Sequence, residues 1–291
     1  MTDASSVAAP PLLAGGVREI ESRYDALICD VWGVVYDGVS AVGVAANCLK
    51  EWRARGKRVV LLSNAPRRSR SMAEQLTERG LGAEFYDDLV TSGEVTWRLL
   101  HEEGEMSLEP PVFYIGPEGT GLREEFLSRV DVTDDIGEAG SLMIAGAPGD
   151  PWGTRIDGDD LLKRAAERGL TALCPNPDKF VRRGGQIEPC AGLVAAEYEE
   201  LGGGVLYVGK PYRPVYEVCL RGLDRSGKVL AVGDGLPTDI RGAAGMGFDS
   251  IFIASGVHGV LGSNEEMDAL LLDLVSEHKV SPTWWMPQLS W

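Results

Sequence analysis

The chain has 291 residues, 44% of them hydrophobic and 25% charged, and its 44 Asp and Glu against 28 Lys and Arg give a net charge of −16. That apolar content excludes a disordered chain and suits two folded domains at roughly 100–200 residues each. The acidity excludes nucleic acid or an anionic membrane as the main partner, because those surfaces attract basic patches, and at first sight it also opposes a phosphorylated substrate.

In chain order, Met1 to Gly16 is rich in Ala, Pro and Gly and reads as a loose arm, with no basic region ahead of an apolar core. A strand is expected over Asp25 to Asp30, a helix around Ala45 to Arg55 closed by Gly56, and a second strand over Arg58 to Leu62 that ends at Ser63 and Asn64. The acidic run Glu102 to Glu105 reads as a solvated helix end. Further strands are expected at Val112–Ile115, Ser141–Ile144, Thr171–Cys174, Val205–Val208, Val229–Val232 and Ser250–Ile253. Continuous apolar strands separated by helices predict a parallel α/β sheet, doubly wound. No segment approaches the roughly 20 apolar residues of a membrane span. Cys29, Cys48, Cys174, Cys190 and Cys219 form no CxxC pair and are odd in number, which predicts reduced thiols in a cytoplasmic protein. His101, His258 and His278 do not cluster with them, which argues against structural zinc.

Four of the expected strands end in small, polar or acidic residues: Asp30, Ser63-Asn64, Gly209-Lys210 and Gly233-Asp234. Ligands of open α/β sheets bind outside the carboxyl ends of the strands, so these segments are expected at one edge. Two carboxylates converging there repel unless a cation lies between them, and oxygen ligands favour Mg²⁺. Lys210, the Ser63 hydroxyl and N–H groups of the Gly33 turn would then hold phosphate oxygens. A carboxylate can attack phosphorus and carry the phosphoryl group. Asp239 would stand behind the metal ligands as an orienting group.

The segments Asp30-Val-Trp-Gly-Val-Val-Tyr-Asp-Gly38, Leu61-Leu-Ser-Asn-Ala-Pro66, Val208-Gly-Lys-Pro211 and Val232-Gly-Asp-Gly-Leu-Pro-Thr-Asp239 resemble the four motifs of the haloacid dehalogenase superfamily. The sequence between them is similar to subclass IIA, which includes nucleotide, 4-nitrophenyl and pyridoxal phosphatases. Asn176-Pro-Asp178, Pro189-Cys-Ala-Gly192, Ala254-Ser-Gly-Val257 and Pro282-Thr-Trp-Trp-Met-Pro287 share that resemblance, which covers about Tyr24 to Trp291.

The resemblance implies a Rossmann-like core over 1–84 and 191–291 with an inserted α/β cap over 85–190. It implies Asp30 as nucleophile, Mg²⁺ held by Asp30, Asp234 and the backbone carbonyl of Trp32, and a phosphate site of Ser63, Asn64 and Lys210. The cap would supply substrate contacts, with Asn176, Pro177 and Asp178 as candidates, and would mediate self-association. The expected substrate is a small phosphorylated metabolite.

One position departs from the pattern. The phosphatases of this family carry Asp two residues after the nucleophile, to protonate the leaving group, and here that residue is Trp32. Three readings follow: a phosphatase that works without that acid, as an acyl phosphate would allow, or draws it from Asp37, Tyr36, Asp178 or another cap carboxylate; a phospho-ligand-binding relative with weak or no turnover; and a dehalogenase. The third conflicts with the retained Asp234 and Asp239. Elsewhere, Trp284, Trp285 and Trp291 read as packing, and the pairs Arg67-Arg68 and Arg182-Arg183 as solvated groups able to steer an anion.

Overall fold

The computed structural model describes residues 9–291 except 103, 105, 152, 155, 157–159, 184–185, 225 and 257–262. The arm from Met1 to Ala8, Glu103 and Glu105 of the acidic run, Val257 and His258 therefore lie outside the described residues. The strands are β1 Ala26–Asp30, β2 Arg58–Ser63, β3 Asp88–Thr91, β4 Val112–Ile115, β5 Val132–Thr133, β6 Ser141–Ile144, β7 Thr171–Cys174, β8 Phe180–Arg183, β9 Gln186–Pro189, β10 Gly204–Tyr207, β11 Val229–Gly233, β12 Asp249–Ile253 and β13 Trp284–Met286. The α-helices are α1 Gly43–Ala54, α2 Ser69–Glu78, α3 Ser92–His101, α4 Leu122–Leu127, α5 Leu161–Glu167, α6 Ala191–Glu200, α7 Arg213–Cys219, α8 Arg241–Met246 and α9 Asn264–His278.

The fold is α/β. Six strands form one sheet in the order β13-β12-β11-β1-β2-β3, and five form a second in the order β10-β7-β6-β4-β5. β1 pairs in parallel with β2 on one side and β11 on the other, with Asp30 in register with Leu62 and Cys29 with Val232. Every residue of β1 and of β11 is buried, which is why both read as unbroken apolar runs. The chain winds outward from β1 through β2 to β3, and from β11 through β12 to β13. The switch between β1 and β11 is where such sheets form their ligand crevice.

Compactness divides the chain into two units. The first comprises Met1–Leu62, Leu76–Asp88 and Leu220–Trp291, and the second Ser63–Gln75 and Leu89–Cys219. In the first, α9 lays Met267, Leu271, Leu274 and Val275 onto Phe252 and Trp285. Trp285 is buried in β13, a strand the sequence did not announce, and Trp284 stands edge-on to Tyr24. Arg55 stacks on Trp291 at 4.1 Å, so the three C-terminal tryptophans are packing groups.

In the second unit, the sheet extends beyond the expected cap boundary at 190. Ala191, Val194, Ala195 and Tyr198 of α6 recur at helical spacing and are buried with Leu142, Ile144 and Ala172. The Tyr198 hydroxyl donates to the Leu170 carbonyl at 2.6 Å. β10 pairs in parallel with β7. The expectation that Lys210 follows a strand of the same sheet as Asp30 and Asp234 is thereby corrected: β10 is the edge strand of the second sheet. Its alternating exposure marks an edge rather than a buried centre.

All five cysteines are free and buried. Burial pushes the Cys48 and Cys174 thiols up to about 12, so both stay protonated and unreactive at neutral pH. Among the described residues no helix is long and apolar enough to cross a membrane.

Candidate active site

β1 ends at Asp30, and the chain then turns back on itself. The Gly33 N–H donates to the Tyr36 carbonyl at 2.8 Å, and the Tyr36 N–H to the Val31 carbonyl at 2.9 Å. Gly33 takes φ +77°, a conformation costly to residues with a Cβ. A Cβ there would also overlap Oδ2 of Asp234, the residue that follows β11. The N–H groups of this turn were expected to hold phosphate; the Gly33 N–H itself bonds within the turn, and the glycine provides space in which Asp234 approaches β1. Gly256, whose Cα would lie 3.1 Å from a Cβ on Gly33, leaves the same room, since a Cβ there would overlap the Asp234 side chain too.

Asp239 lies on a π-type turn, Leu236–Ile240, a rare form that recurs at functional sites. Its Oδ2 accepts the Gly235 N–H at 3.2 Å. Asp30, Asp234 and Asp239 each bring a carboxylate oxygen into one group, all within 4.8 Å of one another. Asp30 and Asp239 are only 5% and 6% exposed. Asp239, expected as an orienting group behind the metal ligands, has a carboxylate oxygen in the same group as Asp30 and Asp234.

The second unit holds the remaining residues singled out from the sequence. Ser63, Asn64, Asn176 and Lys210 are buried there. The Asn64 amide is fully committed: Oδ1 accepts the Lys210 N–H at 2.7 Å, while Nδ2 donates to Asp178 Oδ1 at 2.9 Å and to the Lys210 carbonyl at 3.2 Å. Asn64, expected at the phosphate site, also acts through these bonds as a clamp joining the second motif, the third motif and the Asn176–Asp178 segment. Gly209, at φ +133°, permits this closeness, because a Cβ there would press on Pro177 and on Asn64 Oδ1. Asn176 Oδ1 accepts the Asp178 N–H at 3.0 Å, holding that segment's bend. The Ser63 hydroxyl accepts the Ala65 N–H at 3.2 Å.

Trp32 is half-buried, with its ring edge-on to Tyr36 at 5.0 Å between centroids. Tyr36 is wholly buried, and its hydroxyl has no hydrogen-bond partner among the described residues. Asp37 is exposed and accepts the N–H groups of Val39 and Ser40 at 2.8 and 2.7 Å. Gly256 escaped the sequence reading as a site residue, although its segment carried part of the resemblance.

Residues 27–129 match the family model for haloacid dehalogenase-like hydrolases, and residues 207–276 a second model described as "HAD-hyrolase-like". The chain is similar to a solved haloacid dehalogenase-like family hydrolase from Brucella suis 1330, at 37% identity, with 86% of this chain and 91% of that one covered and a TM-score of 0.73. It is similar to the p-nitrophenyl phosphatase of Archaeoglobus fulgidus, at 26% identity, with 91% and 97% covered and a TM-score of 0.67. It is also 26% identical over 273 residues to the ribonucleotide monophosphatase NagD of Escherichia coli (strain K12), with 91% and 96% covered. The chain belongs to the haloacid dehalogenase-like hydrolase family, as an enzyme of its phosphatase class.

Proposed function

We propose that this protein hydrolyses a small phosphate ester or acyl phosphate, with Mg²⁺, through an aspartyl phosphate on Asp30. The observation that carries the reading is the carboxylate group of Asp30, Asp234 and Asp239, with oxygens within 4.8 Å. Three carboxylates this close, two of them buried, repel strongly in a low dielectric. An all-oxygen donor set suits a hard divalent cation, so the residues present fit Mg²⁺. Asp30, Asp234 and the Trp32 carbonyl would hold it, with Asp239 beside them. When bound, the ion supplies the positive charge that lets a phosphate approach these carboxylates.

The remaining chemistry belongs to the chain. An oxygen of the Asp30 carboxylate forms a bond to phosphorus as the bond to the leaving oxygen breaks. Water then attacks phosphorus, inorganic phosphate departs, and the Asp30 carboxylate is restored. Ser63 and Lys210 take the phosphate role, with Lys210 supplying the ammonium. Asn64 holds Lys210 and Asp178 in place.

Trp32 shapes substrate choice, since general acid help is worth about 10²–10⁴ in rate and this side chain provides none. Exposure and turn bonding of Asp37, and burial of Tyr36, argue against either as the donor. An acyl phosphate, whose leaving carboxylate needs no proton, is therefore the favoured substrate class. Trp32 also favours a second reading, a phospho-ligand-binding relative without turnover. The grouping of Asp30 with Asp234 and Asp239 speaks against a dehalogenase, because displacement at carbon has no use for a metal. Buried free thiols agree with a cytoplasmic setting, and self-association through the second unit accompanies the reading.

The test is phosphate release from acetyl phosphate and from 4-nitrophenyl phosphate with Mg²⁺, beside Asp30→Asn. Release by the natural chain alone is expected. Equal release from both proteins, or none from the natural chain across a wide panel, overturns the proposal.

A further inference from the structure

The stretch from Met1 to Gly16, expected as a loose arm, is bonded to the first sheet from Pro11 onward. The Pro11 carbonyl accepts the Trp285 N–H at 3.1 Å, and the Leu13 N–H donates to the Trp285 carbonyl at 3.0 Å. Leu12 thereby bridges Trp285 in parallel. Leu13 is 5% exposed, and Leu12 packs against the cluster of Phe252, Trp285 and α9. Pro11 contributes only its carbonyl to this pairing, which suits a proline at a sheet edge. Further on, the Val17 N–H donates to the Ser290 carbonyl at 3.0 Å. Gly16, at φ +86°, passes so close to Trp291 that a Cβ would overlap its backbone. Residues 11–17 form a strap along β13 and the segment after it.

The strap bears on the site through β13. That strand has three residues and pairs with β12 on its inner side. A strand so short is marginal when paired on one side only. Trp285 gives both of its backbone groups to the strap, while the Met286 carbonyl accepts the Ala254 N–H at 2.9 Å and the Pro287 carbonyl accepts the Ser255 N–H at 2.9 Å. Ala254 and Ser255 follow β12 and lead directly to Gly256, where a Cβ would overlap the Asp234 side chain. A row of hydrogen bonds thus runs from Leu13 through Trp285 to the backbone that leaves Asp234 its room. Every residue in the row belongs to the first unit.

We propose that the strap is a positioning element of the metal site, with Leu13 and Trp285 acting through Gly256 on the Asp234 carboxylate. This rests on the reading of Asp234 as a Mg²⁺ ligand. Groups that hold a metal ligand in place are worth roughly 10–100-fold in metal affinity. Releasing the strap loosens the site without removing a donor from it.

The test uses four variants of the full chain. Leu13→Pro removes the N–H given to Trp285, and Leu13→Val keeps it at a similar side-chain size. Gly16→Ala presses on Trp291 and releases the strap by a second route. Tyr24→Phe is the control, because it loses a 2.6 Å bond to Asp249, at the opposite end of β12 from Ala254. Isothermal titration with Mg²⁺ measures affinity, and hydrogen exchange follows the Ala254 and Ser255 amides in the metal-free protein. Leu13→Pro and Gly16→Ala are expected to bind Mg²⁺ about tenfold more weakly, with Leu13→Val and Tyr24→Phe within about twofold of the natural chain. Exchange of the two amides rises about fivefold or more in the strap variants, the scale of one lost hydrogen bond. Circular dichroism checks folding, and if Leu13→Pro does not fold, Gly16→Ala decides.

Unchanged Mg²⁺ affinity in the folded strap variants, unchanged exchange, or an equal loss in Tyr24→Phe overturns the role of the strap. Failure of the natural chain to bind Mg²⁺ overturns the metal reading and the proposal with it. The exchange measurement needs no metal, so the two failures are distinguishable.

Discussion

Trp32 stands edge-on to Tyr36, with ring centroids 5.0 Å apart and planes at 73°, two residues beyond the proposed nucleophile. Because Tyr36 is wholly buried, the pair anchors the indole on the core and fixes what occupies position 32. The leaving-group preference proposed for this chain rests on that anchoring. Trp32→Asp restores a proton donor and is expected to raise hydrolysis of phenyl phosphate, a poor leaving group, by about tenfold or more. Hydrolysis of acetyl phosphate, which needs no proton, changes less. The check is the ratio of the two kcat/KM values, and an unchanged or lowered ratio refutes the account of Trp32.

Asp234 bears on stability as well as on the site. With no cation present, its carboxylate faces Asp30 and Asp239 within 4.8 Å, and like charges at that range destabilise the fold. Asp234→Asn is therefore expected to raise the melting temperature of the metal-free protein. In the natural chain, Mg²⁺ at about 100 times its Kd adds about 2.7 kcal/mol. The variant loses most of that increment. Equal Mg²⁺-induced shifts in the two proteins contradict the assignment of Asp234 to the ion. The same logic resolves the acidic net charge: phosphate is expected to bind poorly to the metal-free protein and well once Mg²⁺ is added.

Gly256→Ala isolates geometry from charge. No left-handed backbone is involved at this position, and the nearest atoms an added methyl meets all belong to the Asp234 side chain. Displacing a catalytic group by about 1 Å can cost about 10²-fold in rate. The variant is expected to fold, to lose at least about tenfold in kcat/KM and to bind Mg²⁺ less tightly. Full activity with unchanged metal affinity refutes the close approach.

What could be read from the sequence tracks how locally each feature is encoded. β1, β2, β11 and β12 are buried on nearly every residue, so their apolar runs announce them, and Asp30 and Asp234 follow as the polar residues at their ends. β10 reads just as apolar, yet it lies at the edge of the other sheet, because its sheet membership is decided by pairing with β7 and by α6. No local pattern carries that information. β13 has only three residues and owes its place to Trp285 packing beneath α9. The clamping role of Asn64 depends on Asp178 and Lys210, 114 and 146 residues away, which no local pattern encodes. The π-type turn that brings Asp239 into the carboxylate group is likewise not announced by any local pattern.

Glu94 offers a test of the scaffold around Arg68. Its side chain is 12% exposed and receives Arg68 at 2.7 Å and Arg98 at 3.0 Å. Burial pushes its pKa up, but the hydrogen bonds and charges of the two arginines outweigh burial and hold the carboxyl below its usual range. A carboxyl with a depressed folded pKa stabilises above its unfolded value, about 4.3, and that contribution is lost as pH falls through the folded value. Glu94→Gln is thus expected to destabilise the protein at pH 7 by about 1–2 kcal/mol, at the low end for bonds to charged groups because both arginines are partly solvated. The gap between the two proteins narrows as pH falls below about 4.3, where the natural chain also loses the charge. Urea unfolding at pH 7 and at successively lower pH measures it. A gap that stays constant with pH shows that Glu94 acts through packing, and one that widens on acidification contradicts the sign derived from its arginine partners.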